Sequence, residues 1–139
     1  MKRINKLLLL FFVIIITMPS CNRFEEGSFS MRSVKSRLSR IWVLESYYKD
    51  GVDQTELWNT QYPHYKIEYR ENFTYEVFIG SDSTYSYGVY SLTEWSKKIV
   101  RKPNADPTSE IVHDILKLNT DELWTIVGTE EFHFVEEKE

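Results

Sequence analysis

Eight short runs in which apolar and polar side chains alternate constrain this chain more than any other feature. They are Ile41–Lys49, His64–Arg70, Thr74–Gly80, Thr84–Leu92, Trp95–Arg101, Ile111–Leu118, Leu123–Thr129 and Glu131–Glu136, all rich in Val, Ile, Thr and aromatic residues. A period of two sends successive side chains to opposite faces of a strand, so Tyr65, Ile67 and Tyr69 face inward while Lys66, Glu68 and Arg70 face outward. By the same rule Trp42 and Leu44 share a buried face, as do Leu116 with Leu118 and Phe132 with Phe134. In Thr74–Gly80, Val77 and Ile79 compete with Phe78 for the inside. Asp50-Gly51, Glu71-Asn72, Ser81-Asp82-Ser83 and Asn119-Thr120-Asp121-Glu122 are tight-turn material, so most neighbouring runs are joined as antiparallel hairpins. Helical spacing occurs at Met31, Val34, Leu38 and Ile41, which predicts a short helix within residues 31–40, and one further turn of helix fits around Glu56–Asn59. That is too little helix to cover a parallel sheet. The fold class is therefore all-β: an antiparallel eight-stranded meander, preceded by a short helix, that folds as a sandwich or closes into a small barrel, closure being the arrangement that leaves no free edge. A chain of 139 residues with 42% hydrophobic side chains holds one such domain and can give it a core.

The first 21 residues belong to no fold. Lys2, Arg3 and Lys6 precede ten apolar residues, Leu7 to Ile16, and Ser20 stands directly before Cys21, the one cysteine of the chain. This is the layout of a secretion signal. Its apolar run is too short for a helix to cross hydrocarbon about 30 Å thick. The small residue before a lone cysteine resembles the lipobox of bacterial lipoproteins. That resemblance implies cleavage before Cys21, a thioether-linked diacylglycerol on its sulfur and acylation of the new amino group, which together hold a protein on a bilayer. The expected organisation is a signal peptide over 1–20, a lipidated tether over 21–30 and a barrel domain over 31–139. Asn22 in place of Asp after the cysteine implies the outer membrane, by analogy with the sorting of enteric lipoproteins. Glu25 and Glu26 resemble the acidic surface-export signals of Bacteroidetes lipoproteins. A single cysteine rules out an internal disulfide framework and Cys-rich metal sites. The net charge is −4, and the leader carries three basic and no acidic residues, so the exported chain is more acidic still. Such a chain repels phosphate backbones, which makes nucleic acid a poor partner.

Leu38-Ser39-Arg40-Ile41-Trp42-Val43-Leu44 resembles the opening strand of the lipocalin-like lipoproteins of Bacteroidetes. The later pieces follow in the same order: Asp50-Gly51 after the first strand, Asn72-Phe73-Thr74-Tyr75 where that family has Asn-Gly-Thr-Tyr, Gly88-Val89-Tyr90 for its Gly-x-Trp, and Ile115–Leu123 for its spaced Ile and Leu residues. The resemblance runs from about Leu38 to the end and implies a lipocalin-like barrel. A barrel of eight strands either holds one small ligand or is filled by its own side chains, and the aromatic content of 15% is compatible with both.

Long connections over a sheet are where binding residues collect. Two are present, Asp50–Pro63 and Lys102–Glu110. If a cavity exists, Trp58 and Tyr62 in the first are the candidate ligand-binding residues, followed by Trp95; alternatively Trp58 plugs the open end. His113, His133 and Asp114 are the residues that could suggest a metal. Neighbouring strand residues point to opposite faces, however, and no ligand spacing is present, so the two histidines read as exposed sheet positions and no metal or cofactor is expected. Glu71, Glu76 and Glu94 are too ordinary among so many acids to mark a carboxylate pair. The chain has no Gly-rich phosphate loop, no nucleophile elbow and, once lipidated, no thiol, so it reads as non-enzymatic. Asn72-Phe73-Thr74 matches a glycosylation sequon but reads as a turn. The expectation is a lipid-anchored envelope protein that binds a small apolar ligand or an envelope component. The alternative is a packed module that presents its loops to a protein or glycan partner.

Overall fold

The computed structural model describes residues 33–81 and 83–138. The expected signal peptide, Cys21 and the expected tether lie outside them. Helix α1 (Val34–Leu38) leads into β1 (Ile41–Lys49), then β2 (Val52–Asp53) and helix α2 (Thr55–Gln61). Strands β3 (Lys66–Tyr69), β4 (Thr74–Ile79), β5 (Ser83–Thr93), β6 (Lys98–Pro103), β7 (Ile111–Leu118), β8 (Glu122–Val127) and β9 (Glu130–Glu136) complete the chain. From β3 onward each strand pairs antiparallel with the next, β3 lies beside β1, and β9 returns to the other side of β1. Eight strands thus close into the barrel that the alternation predicts. The ninth, β2, is an addition of two residues hooked to the end of β1 through Tyr48↔Asp53 and Lys49↔Val52. Closure pairs both edges of the meander, so no open row of backbone donors is left on the barrel.

Because every crossing reverses direction, the connections alternate between two ends. At one end α1 forms a plug. Ser33 caps it by accepting a 3.2 Å hydrogen bond from the Ser36 amide, and Val34 and Leu38 turn into the barrel. There the Trp42 indole N–H donates to the Leu38 carbonyl at 2.9 Å. Leu38, Trp42, Ile99 and Leu123 lose all their exposure at this end. The helix lies within residues 31–40 as expected and ends at Leu38, where the Ser39 hydroxyl donates to the Lys35 carbonyl at 2.9 Å and the chain leaves the helix. At the other end lies α2, which is nearly two turns long rather than one. It is fixed to β1 at its start: the Tyr47 amide donates to Thr55 Oγ1 at 2.9 Å, and Thr55 in turn bonds Asp53.

Three bulges re-aim side chains, and one of them corrects the expected pattern. In β7 the register slips between Ile115, which faces Thr125, and Lys117, which faces Trp124, leaving Leu116 as the extra residue. Leu116 is consequently 41% exposed whereas Leu118 is 2% exposed, so these leucines do not share a face. A bulge inserts one residue and flips the alternation beyond it. Glu45 plays the same part in β1, so the inward set there runs Trp42, Leu44, Tyr47. On β5 the extra residue is Tyr85, opposite the step from Val77 to Phe78; Val77 takes the inside, and Phe78 lies under the Lys66 ammonium. β6 also begins later than its sequence suggests. Glu94, Trp95 and Ser96 have φ of 49°, 60° and 65° and form the turn before it rather than its first residues.

Candidate functional site

The α2 end of the barrel brings two of the three candidate ligand-binding residues together. Helix α2 lies across the mouth and points Trp58 inward, where its ring packs 4.4 Å from Tyr47, 4.6 Å from Tyr62 and, edge-on, 5.3 Å from Phe132 and 5.6 Å from Tyr65. Tyr62 extends this aromatic lid to Tyr85 at the bulge of β5, 6.1 Å away. Trp58 thus covers this end of the barrel as a hydrophobic plug would. Its indole N–H is buried without an acceptor among the described residues. Tyr47 is tied to the rim by donating its hydroxyl to Glu130 Oε1 at 2.9 Å, and burial together with that carboxylate pushes its pKa up to about 12.

Trp95 is not part of this site. It sits on the β5–β6 turn at the α1 end, 81% exposed, on the opposite side of the barrel from Trp58. Strand parity explains the separation: the β1–β3 connection and the β5–β6 turn lie an odd number of crossings apart, so they cannot share a mouth.

Below the lid the barrel interior is polar in a way the candidate residues do not reveal. On β6, Arg101 follows Ile99 on the inward face and is buried, as is His113 on β7. Their side chains meet, with Arg101 Nη2 2.5 Å from His113 Nε2. A guanidinium can only donate, so His113 Nε2 accepts and the imidazole is neutral with its proton on Nδ1. Burial, reinforced by the guanidinium charge, lowers the His113 pKa from 6.5 to about 2. The guanidinium also lies over the Tyr75 ring, 5.3 Å from its centroid, with Tyr65 and Tyr69 close enough to feel its charge. Arg101 Nε, the Tyr75 hydroxyl and Thr125 Oγ1 are buried without a hydrogen-bond partner among the described residues. His113 is therefore an interior residue and not the exposed sheet position that sequence suggests. His133 is the more accessible of the two; it stacks on Trp124 at 4.1 Å and bonds Glu131. The signal for the interior pair is present in the sequence: Ile99 and Arg101 are two apart, as are His113 and Ile115, so each polar residue shares the face of an apolar neighbour.

Other candidates are scattered. Asp114 points away from His113, toward the Lys98 ammonium. Glu76 bonds Arg70 and Thr84 on the outer face of the sheet, and Glu94 pairs with Lys98 beside the β5–β6 turn. Asn72 accepts from the Thr74 amide and hydroxyl, so the sequon is indeed a turn. Among the described residues no three His, Cys, Asp or Glu side chains converge.

The whole arrangement, a closed eight-stranded antiparallel barrel with a helical plug at one end and an aromatic cap at the other, is a lipocalin-like fold. Solved structures agree. A lipocalin-like protein from Bacteroides uniformis superposes with a TM-score of 0.56 at 13% identity, covering 73% of this chain and 99% of that one. An uncharacterized protein from Bacteroides eggerthii gives 0.57 at 14% identity over 72% of this chain and 99% of its own. A DUF4847 family protein from Bacteroides vulgatus gives 0.55 at 11% identity over 77% and 99%. No family model matches the sequence, and neither does any curated protein. The likeness to the lipocalin-like domains of Bacteroides thus holds in three dimensions, where pairwise identity has fallen to this level.

Proposed function

We propose that this protein is a non-enzymatic, lipid-anchored binding protein of the bacterial outer membrane, and that its barrel takes one small, largely apolar molecule beneath the Trp58 lid. One observation carries the binding half of this reading. Inside the barrel Arg101 and His113 are buried among aromatic residues, and Arg101 Nε, the Tyr75 hydroxyl, Thr125 Oγ1 and the Trp58 indole N–H are buried without a hydrogen-bond partner among the described residues. A capped, largely apolar interior with a few polar groups left open is the kind of place where small barrels receive ligands. The anchor half rests on residues 2–21 and the single cysteine.

Native mass spectrometry of protein purified from its own host tests the binding half: a retained small molecule is the expected result, and an empty chain under conditions that preserve the barrel would count against it. Metabolic labelling with a fatty-acid analogue tests the anchor. Wild-type protein should take up label that Cys21→Ala does not, and equal labelling would remove the anchor from the proposal. The outward row Tyr85, Tyr87 and Val89 on β5 favours a second reading, in which the barrel also presents a surface to a protein or glycan partner. A chain that co-purifies in place of a small molecule would select it.

A further inference from the structure

Arg101 carries a charge that no carboxylate among the described residues balances. Its side chain is buried on β6, and no carboxylate among the described residues forms an ion pair with it. Its partners are uncharged: His113 accepts its short contact, Tyr65 shares a side-chain hydrogen bond with it, and Tyr69 and Tyr75 adjoin it. An arginine cannot shed its proton to escape burial, and an unpaired buried cation is among the costliest groups a core can contain. The Nε edge of the guanidinium and the hydroxyl of Tyr75, the ring over which that guanidinium lies, are both buried donors without an acceptor among the described residues. A closed barrel that keeps such a pair in place of two hydrocarbons leaves a receptor for a negative charge.

Resting on the binding reading above, we propose that the ligand carries a single carboxylate, which pairs with Arg101 and accepts from Tyr75, while its apolar tail runs toward Leu44, Phe132 and Phe134 beneath Trp58. A monoanion is the matching charge. One guanidinium among neutral tyrosines and a neutral histidine cancels one negative charge, whereas a phosphate dianion would leave a net charge in a low-dielectric interior. His113 is a positioning residue here: by accepting from Nη2 it fixes the plane of the guanidinium and leaves the Nε edge for the ligand.

The test is isothermal titration of the full chain, held in nanodiscs of uncharged lipid, with octanoate, octanol and octyl phosphate. Empty nanodiscs supply the partition baseline. Octanoate should bind about ten- to a hundredfold more tightly than octanol, the range expected of a charge-assisted hydrogen bond, and more tightly than octyl phosphate. Arg101→Gln should erase the preference for octanoate while octanol still binds, and Tyr75→Phe, which removes only a hydroxyl, should reduce it several-fold. Equal binding of octanoate and octanol to the wild type overturns the carboxylate site and leaves the apolar carrier standing. Tighter binding of octyl phosphate overturns the choice of a monoanion. Failure of all three probes removes the binding reading itself. The wild-type comparison needs no variant, so it decides the matter even if Arg101→Gln does not fold.

Discussion

At Gly88 the β5 backbone passes so close to β6 that a Cβ would stand 2.1 Å from the Lys102 carbonyl oxygen. The constraint is one of space, and only a residue without a side chain meets it. Gly88→Ala should therefore force the two strands apart and lower stability by about 1–3 kcal/mol or more, a loss that urea denaturation would read as a reduced midpoint with an unchanged slope. Tyr90, two residues on, explains its neighbour's register: its hydroxyl donates to the Arg70 carbonyl at 2.9 Å, closing the strand against the β3–β4 turn. Gly88-Val89-Tyr90 is legible in the sequence as a motif, but the reason for its glycine is not. The oxygen it avoids belongs to a residue 14 positions away, and no local pattern reports that approach.

At the scale of elements, bulges and the lid decide what the strands can do. If Leu116 is the extra residue of β7, Leu116→Ala should change stability by no more than about 0.5 kcal/mol. Leu118→Ala should cost about 2–5 kcal/mol, because it empties the packed α1 end. A regular strand would make the two losses alike, and thermal or chemical denaturation of both variants separates the cases. The lid makes a different prediction. Helix α2 has no buried residue, and it reaches the core chiefly through Trp58, which packs partly buried against it. Trp58→Ala should therefore strip amide-exchange protection from Thr55–Gln61 while the β1–β9 pairing keeps its own, since local opening requires only that a helix lose its attachment. Equal loss of protection across the barrel would mean that the lid and the barrel are one cooperative unit. The strands themselves could be read from alternation, and Ile111–Leu118 matches to the residue. Bulges could not, because an inserted residue is visible only against the register of its partner strand.

For the molecule as a whole, the buried His113 sets a response to acid. Its folded pKa of about 2 lies below the 6.5 of an unperturbed imidazole, so the unfolded chain takes up a proton that the barrel refuses. The stability this group contributes is complete above about pH 6.5 and is lost as the pH falls below it. The slope approaches about 1.4 kcal/mol per pH unit once the unfolded imidazole is protonated. Glu76 and Glu122, whose pKa values are held below the usual 4.5 by hydrogen bonds to Thr84 and Lys117, act in the same direction but only at lower pH. Urea midpoints should therefore fall between pH 6.5 and 4.5, and His113→Gln, which offers an acceptor but no titration, should flatten that interval. A flat wild-type profile there would mean that His113 is protonated in the barrel and that its contact with Arg101 is not as described.

The all-β class, the antiparallel order, the positions of most strands and the inward faces of Trp42, Ile67, Tyr69, Phe132 and Phe134 are legible in the chain alone, because alternation and turn chemistry are local and act within a few residues. The sequence also carries the basic start, apolar run and lone cysteine of residues 2–21 on which the proposed anchor rests. The closed barrel puts Trp58 and Tyr62 at one mouth and Trp95 at the far end, and it takes Leu116 out of the core. It alone set Arg101 and His113 2.5 Å apart inside. Those outcomes depend on which strands end up side by side and in what register, and that is fixed by closure of the cylinder and not by any stretch of chain alone.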